Sequence, residues 1–490
     1  MKRIVLTVVT VITILTAAFP QNATDALRYS RIFYNGTARF QAMGGAFGAV
    51  GADFSVLATN PAGLGLYRSS EFTITPSLSI NSASTNFYNN NYTDSRGNFA
   101  LGNAGMVFAI PFSSKHAGGI QFINVAFGIN RQSDLNQNIS LQGFNNKSSI
   151  LTDWVNTLNS GYYTPNSIKD EFPFDIGLAK EANLIFLSDT MNLLYGNDAP
   201  HGGVVQKKWI ERRGSMNEFD ISFGGNWDDK LYFGMTIGIP FIRYFERSQY
   251  QEIKNDTSVH YFESMTYNQY VETHGTGINL KAGLIYRPAN WVRIGASIHT
   301  PTYFGNMRDS YSSDLTGNLT PSSLNQPTQY SPLGYYNYQM ATPFRATGSL
   351  AFIIGKIGLI SAEYEFVNYN QARFYSSSSS TEFNGVNDNI KSDFTTPLNL
   401  KFGTEWRVQN FRIRGGYQYN GTPYKYSGDY GVRYAVSGGI GYRTNLFFAD
   451  LSYIWSQMKD DYYLYDSSLV NASHDTYTSN NVVMTVGVRF

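Results

Sequence analysis

The side chains that carry most protein chemistry are few in this chain and widely scattered. The histidines are His116, His201, His260, His274, His299 and His474, and no metal-ligand spacing occurs among them. Cysteine is absent, which removes thiol nucleophiles, disulfides and cysteine-ligated clusters. The Gly-x-Ser-x-Gly elbow of many hydrolases does not occur. Gly44, Gly45, Gly48 and Gly51 make a glycine-rich run, but no strand–helix unit and no Lys-Ser/Thr pair follow to form a phosphate cradle. The expectation is no catalytic residue, no metal and no cofactor. A haem receptor needs a histidine beside aromatics at a loop tip; His201 and His260 are the candidates, and nothing sets them apart. A formal net charge of +1 without a basic run argues against a nucleic-acid partner.

Charge is the remaining chemistry, and its spacing describes a wall. Lys281, Arg293, Glu363, Glu365, Lys401, Glu405, Arg412, Arg414 and Asp450 each stand next to an apolar residue. In 397–406, Leu398, Leu400, Phe402 and Trp406 alternate with Asn399, Lys401, Gly403 and Glu405. Phe411, Ile413, Tyr417 and Tyr419 alternate with Arg412, Arg414, Gly416 and Gln418, and the last segment sets Val482, Met484, Val486, Val488 and Phe490 against Val483, Thr485, Gly487 and Arg489. Strands send successive side chains to opposite faces, so such segments have one apolar and one polar wall. About fourteen of them run from Glu71 to Phe490.

Their connections alternate. Tight ones are expected at Ser113–His116, Trp227–Asp229, Arg287–Asn290, Gly355–Lys356, Arg407–Asn410 and Arg443–Asn445, and long polar ones near residues 90, 175, 255, 320, 380, 425 and 467. The fold class that follows is all-β: a transmembrane antiparallel β-barrel of about fourteen strands, with short periplasmic turns and long outer loops. Aromatic residues at 16% suit interfacial girdles, and a slightly negative mean hydropathy excludes a helical membrane protein in the body of the chain. Residues 1–20 read as a secretory signal, with Lys2 and Arg3 before the apolar run from Ile4 to Ala18 and cleavage between Ala18 and Asn22. The expected location is the outer membrane of a Gram-negative bacterium. Expected partners are outer-membrane lipid and, through the C-terminal strand, the barrel-assembly machinery.

Residues 71–490 are then the barrel, with 131–216 as its longest and partly helical loop, and 21–70 are a hatch within it. Glycine and alanine let backbone pack closely in a narrow lumen, and Asn60-Pro61 is a turn signal. The stretch from Arg39 to Leu66, with Asp53 and then Asn60-Pro61-Ala62-Gly63-Leu64, resembles the FadL/TodX family of outer-membrane transporters for long-chain fatty acids and other hydrophobic compounds. Asn290–Gly295 and Arg412–Tyr417 are similar to barrel strands of that family. The resemblance implies a hatch closing the lumen, capture of a hydrophobic small molecule at the outer loops, and sideways release through a defect in the third strand. The function expected is passive, hatch-gated transport of a fatty-acid-like molecule. The charged lumen face keeps open the alternative of a porin for small polar solutes.

Further expectations concern sites. Leu151, Trp154, Val155 and Leu158 at helical spacing, with Ile176, Leu184 and Phe186, supply either an apolar capture groove or a core packed on the barrel rim. In the third strand Gly119 and Gln121 read as inward, yet Asn124, Ala126 and Gly128 do so further on. That slip predicts a β-bulge at Phe122–Ile123, and an exit between strands two and three near Phe122, Ile123 and Asn124. A hairpin turn at Val408-Gln409 sets Glu405 opposite Arg412 as an inward ion pair, with Gly403 opposite Arg414. Asp53 is expected either beside a basic wall residue at the level of Arg412 and Arg414 or as the cap of a short helix.

Overall fold

The structure is a computed structural model that describes residues 21–112, 119–200, 203–255, 261–379, 381–426 and 428–490. The signal segment, the turn at Ser113–His116 and the histidines His116, His201 and His260 lie outside the described residues.

The alternation produces strands whose two faces meet different surroundings. In β1, Glu71–Phe87, Phe72, Ile74, Leu78 and Ile80 are exposed on the outside, while Thr73, Thr75 and Ser79 are buried toward the lumen. Antiparallel neighbours follow in chain order: β2 is Asn90–Pro111, and β3 is Ile120–Asp134 continued by Gln137–Asn145. β4 is Val204–Trp227, β5 Leu231–Lys254, and β6 Phe262–Ala289. β7 joins Val292–His299 to Tyr303–Leu319, β8 joins Gly334–Ala341 to Arg345–Ile354, and β9 joins Gly358–Val367 to Arg373–Tyr375. β10 is Asn399–Val408, β11 Phe411–Asn420, β12 Arg433–Arg443, β13 Phe447–Tyr462 and β14 Ser473–Arg489. β14 pairs with β1, which closes the 14-stranded antiparallel barrel. No helix among the described residues is long and apolar enough to cross a membrane.

Two connections differ from expectation. The link near residue 90 is the tight turn Tyr88–Asn89, both residues at positive φ, at the tip of a long β1–β2 ribbon. The longest loop is shorter than 131–216, because Gln137–Asn145 pairs with Val204–Arg212 and carries the wall upward. Polar strands pair as well as apolar ones once they leave the apolar band, so hydropathy does not mark where a ladder ends.

Residues 22–70 lie inside the barrel. They form α1 (Ala23–Ser30), α2 (Ala38–Ala42) and two 3-10 turns, Phe54–Ala58 and Pro61–Leu66. Asn22 caps α1 in a reciprocal capping box with Asp25. Glycines on both sides allow the close fit: a Cβ on Gly416 of β11 would overlap the Gly44 nitrogen, and one on Gly295 of β7 the Gly48 carbonyl.

Candidate functional site

The lumen charges hold the N-terminal segment to the wall. Arg293 donates to the Val50 carbonyl at 2.7 Å, Glu363 accepts from the Gly48 nitrogen at 2.8 Å, and the His299 ring meets the Thr59 carbonyl at 2.6 Å. Lys401 bridges to Glu363 at 2.9 Å, Arg414 to Asp450 at 2.7 Å, and Lys281 to Glu218 and Asp220. Inward charges thus satisfy one another and the backbone of the segment, as a filled lumen requires.

The expected Glu405–Arg412 pair is not formed. Val408 pairs with Phe411, so the two-residue turn is Gln409-Asn410 and Glu405 stands opposite Arg414, at 2.6 Å. Gly403 faces Gly416, and Arg412 sits at the rim, donating to carbonyls of its own turn. A one-residue shift of the turn moves every partner by two. Glu405 also receives Arg39 of α2 at 2.8 Å, so it ties wall to lumen segment. Asp53 takes the capping role: it accepts from the Ser55 nitrogen at 3.0 Å and from the Thr37 hydroxyl at 2.8 Å. No wall arginine forms an ion pair with it among the described residues.

Asn60, Pro61, Ala62, Gly63 and Leu64 shape the second 3-10 turn. The Asn60 amide donates to the Gly48 carbonyl at 2.6 Å and accepts from the Ala62 nitrogen at 3.1 Å. Gly63 accepts from the Ala52 nitrogen at 3.0 Å, and Leu64 accepts from the Asn124 side chain at 2.6 Å. Asn124, expected at an exit, is therefore an anchor of the turn, as is His299, which sequence reasoning passed over. Neutral inward residues in a strand carry no signal that separates an anchor from a spacer.

Above this segment the lumen opens into a cavity of about 320 Å³. Its lining includes Leu27, Arg28, Arg31 and Phe33 of the N-terminal segment, Arg212, Tyr244 and Arg433 of the wall, and Ser133–Gln137 of β3. Arg28 pairs with Asp25, and Arg212 with Glu246. Arg31 and Arg433 have no ion-pair partner among the described residues. Arg31 donates to the Gly431 carbonyl, Arg433 to the Gln418 amide oxygen at 3.2 Å, and the two guanidinium groups lie 5.2 Å and 4.4 Å from the centre of the Phe33 ring. Burial pushes the Arg31 guanidinium below its ordinary range, and the nearby Asp460 offsets this only in part. An acceptor group entering here finds two guanidinium groups beside an aromatic face, each hydrogen-bonded to neutral acceptors and in no ion pair among the described residues.

The expected irregularity in β3 is present but displaced. Relative to β4 the extra residue is Gln121, not Phe122–Ile123, and Ile123 points outward. Beside β2 the ladder is continuous from Pro111↔Phe122 to Asn103↔Asn130, so the wall is closed at Phe122, Ile123 and Asn124. A larger departure begins at the next level. A second bulge falls at Gln132, the strand breaks at Leu135-Asn136, and β2 from Asn90 to Leu101 has ladder partners on β1 alone. Upper β3 instead contacts inward side chains of the β1–β2 ribbon: Ser79 with Asp134 at 2.8 Å, and Thr85 with the Ser140 carbonyl at 2.7 Å. The carbonyls of Arg131 and Gln132 accept from Asn35 and Phe33 of the N-terminal segment at 2.9 Å and 3.1 Å. Between β2 and upper β3 the backbone ladder is thus interrupted, leaving a seam bridged by side chains that adjoins the cavity. The interruption lies above the sequence position read for the exit because the period break at Gln121 is the stronger sequence signal, whereas Arg131–Asn136 is polar but for Leu135.

The loop helices α3 (Ile150–Ser160), α4 (Ile168–Glu171) and α5 (Ile176–Glu181) form a cap over β5, β6 and β7. Leu151, Trp154, Val155, Leu158, Ile176 and Leu184 are buried in its core with Tyr250, Met265 and Leu315, so they are packing residues and no open groove runs among them. Phe186 is 46% exposed, on the hairpin Ile185–Asp189/Leu194–Asn197 that also displays Met191 and Leu194.

This architecture is found in solved channel structures. A Pseudomonas aeruginosa FadL homologue matches 93% of this chain and 98% of its own at 11% identity and a TM-score of 0.54. The P. putida toluene transporter TodX matches over the same shares at 11% identity and 0.52. The Ralstonia pickettii toluene transporter TbuX does so at 15% identity and 0.50. No family model and no curated sequence matches the chain. The fold is thus that of the FadL- and TodX-type barrels.

Proposed function

We propose that the protein is a passive channel of the Gram-negative outer membrane, FadL/TodX-like and not an enzyme, for a hydrophobic molecule with an anionic head, fatty-acid-like in kind. The observation that carries this reading is the pair Arg31 and Arg433, half-buried on the cavity beside Phe33 and in no ion pair among the described residues, although Asp134 and Asp460 also line it. A carboxylate accepts from guanidinium groups strongly, while Leu27, Leu135 and Met458 offer apolar contact for a chain. The exposed hairpin carrying Phe186 and Met191 is the capture surface. Release is lateral, at the seam between β2 and upper β3, with residues 33–35 as the displaceable stopper.

Displacement of a fluorescent long-chain carboxylate from the purified protein tests this. The double variant Arg31→Gln/Arg433→Gln is expected to weaken carboxylate binding at least about tenfold, the worth of one charge-assisted hydrogen bond, and to leave the matching long-chain alcohol unaffected. Equal affinity of variant and wild type for the carboxylate rejects the assignment. The porin reading is separated by liposome swelling: rapid sugar entry through the intact protein favours the porin, whereas none favours the channel for amphiphiles.

A further inference from the structure

The outer wall carries one concentration of positive charge that the cavity does not use. On β5 the exposed face runs Leu231, Phe233, Met235, Ile237, Phe241 and then turns basic at Arg243 and Arg247. Register sets Arg243 directly beside His274 of β6, and His274 beside Arg308 of β7. All three side chains point outward at the long-loop end. Neighbouring strands lie about 4.8 Å apart, so the row spans roughly 10 Å of wall. Glu272 is the acid in contact, 3.8 Å from Arg243 and 2.9 Å from His274. Arg247 and Arg308 have no ion-pair partner among the described residues and lie over Tyr270 and Tyr335, at 5.5 Å and 5.0 Å from the ring centres. Elsewhere the wall differs: past their apolar bands β1, β13 and β14 present Ser82, Gln457 and Thr478.

Arginines oriented outward at the upper edge of an apolar band, backed by tyrosines, meet lipid headgroups and not the lumen. Guanidinium groups match phosphate oxygens in a bidentate fork, and a row of them exceeds what one glutamate neutralises. We propose that Arg243, Arg247 and Arg308 form a docking site for the phosphate-bearing headgroup of an outer-leaflet glycolipid. The site rests on the membrane placement of the barrel and is independent of what the cavity carries.

The test uses the full protein in neutral maltoside micelles, with retained lipid read by native mass spectrometry. The probes are bis-phosphorylated lipid A, the same glycolipid stripped of both phosphates, and inorganic phosphate as competitor. The expected result is retention of the phosphorylated lipid alone, lowered about tenfold in Arg243→Gln/Arg308→Gln and unmoved by millimolar inorganic phosphate. Arg243→Lys/Arg308→Lys keeps the charge and loses the fork, and an intermediate loss is expected; it also serves if the glutamine variant assembles poorly. Wild-type retention in both variants, equal retention of the stripped lipid, or displacement by inorganic phosphate overturns the proposal. Loss of carboxylate binding in the cavity would leave this result unchanged, so the two readings fail separately.

Discussion

Asn60 shows how much one side chain settles in this molecule. It starts a 3-10 turn and ties that turn to the Gly48 carbonyl. Asn60→Ala removes both and should cost about 1–2 kcal/mol in the N-terminal segment, read as faster proteolysis of residues 22–70 in an otherwise folded barrel; unchanged proteolysis would show that the cap contributes nothing. At Gly416 the constraint is steric. Gly416→Val collides with the Gly44 nitrogen and is expected to raise single-channel conductance, while Gly348→Val, which meets nothing, is expected to leave it at the wild-type level. Residue-level detail was only partly legible in the sequence. The Asn-Pro-Ala-Gly-Leu turn and the inward face of Glu405 could be read, because turn chemistry and period two are local. The partner of Glu405 could not be fixed, because Val408-Gln409 and Gln409-Asn410 are both acceptable turns and only the three-dimensional ladder selects one.

The cap and the seam are the elements that vary most from the sequence reading. Glu252 is buried at the start of α3, accepting from Ser149 and the Ile150 nitrogen without an ion-pair partner among the described residues. Burial raises its pKa, and burial raises that of Asp175, the cap of α5, to about 6. Protons are then bound more tightly in the folded cap than in the unfolded one. The stabilisation is complete below the ordinary carboxyl range and disappears as pH rises through about 6. Amide exchange over residues 146–203, corrected for its intrinsic rate, should therefore be slower at pH 5 than at pH 7.5, with a smaller difference in Glu252→Gln; equal protection at both pH values would contradict this. The seam gives a sharper test. Asn35 and Arg131 face each other in an isolated bridge, and the chain has no cysteine. Asn35→Cys/Arg131→Cys is expected to stop uptake of a labelled long-chain carboxylate when oxidised and to restore it on reduction, and full uptake by the oxidised form would remove residues 33–35 from any gating role. Apolar residues at helical spacing foretold α3, yet a periodic stripe does not say whether it faces a ligand or another helix.

At the scale of the whole molecule the barrel was the most legible feature, because many alternating segments with short turns at one end point the same way at once. The interior was less so. Glycines 44, 45, 48 and 51 read as permissive backbone, but that wall glycines Gly416 and Gly295 receive Gly44 and Gly48 depends on pairs of residues hundreds of positions apart. The intact protein, with its lumen occupied, is expected to admit no sugar in a swelling assay, and removal of residues 22–70 should open it; slow swelling of that deletion variant, correctly assembled, would mean that the wall itself narrows the lumen. The last ladder step has a consequence for how the molecule is made. Ser70 and Phe490 exchange two backbone hydrogen bonds at 3.1 Å, so the end of the closing ladder meets the threshold between the inner segment and the wall. The segment precedes the wall in the chain, yet the carbonyls of Leu64, Val50 and Thr59 find their wall partners only on later strands, at Asn124, Arg293 and His299. Docking of the segment on these partners therefore has to await those strands. Phe40, Phe47, Phe54 and Leu57 of that segment belong to an apolar cluster that also takes in Val107, Ala126 and Ala351 of the wall, so until those strands are in place this apolar area has to be kept from other chains.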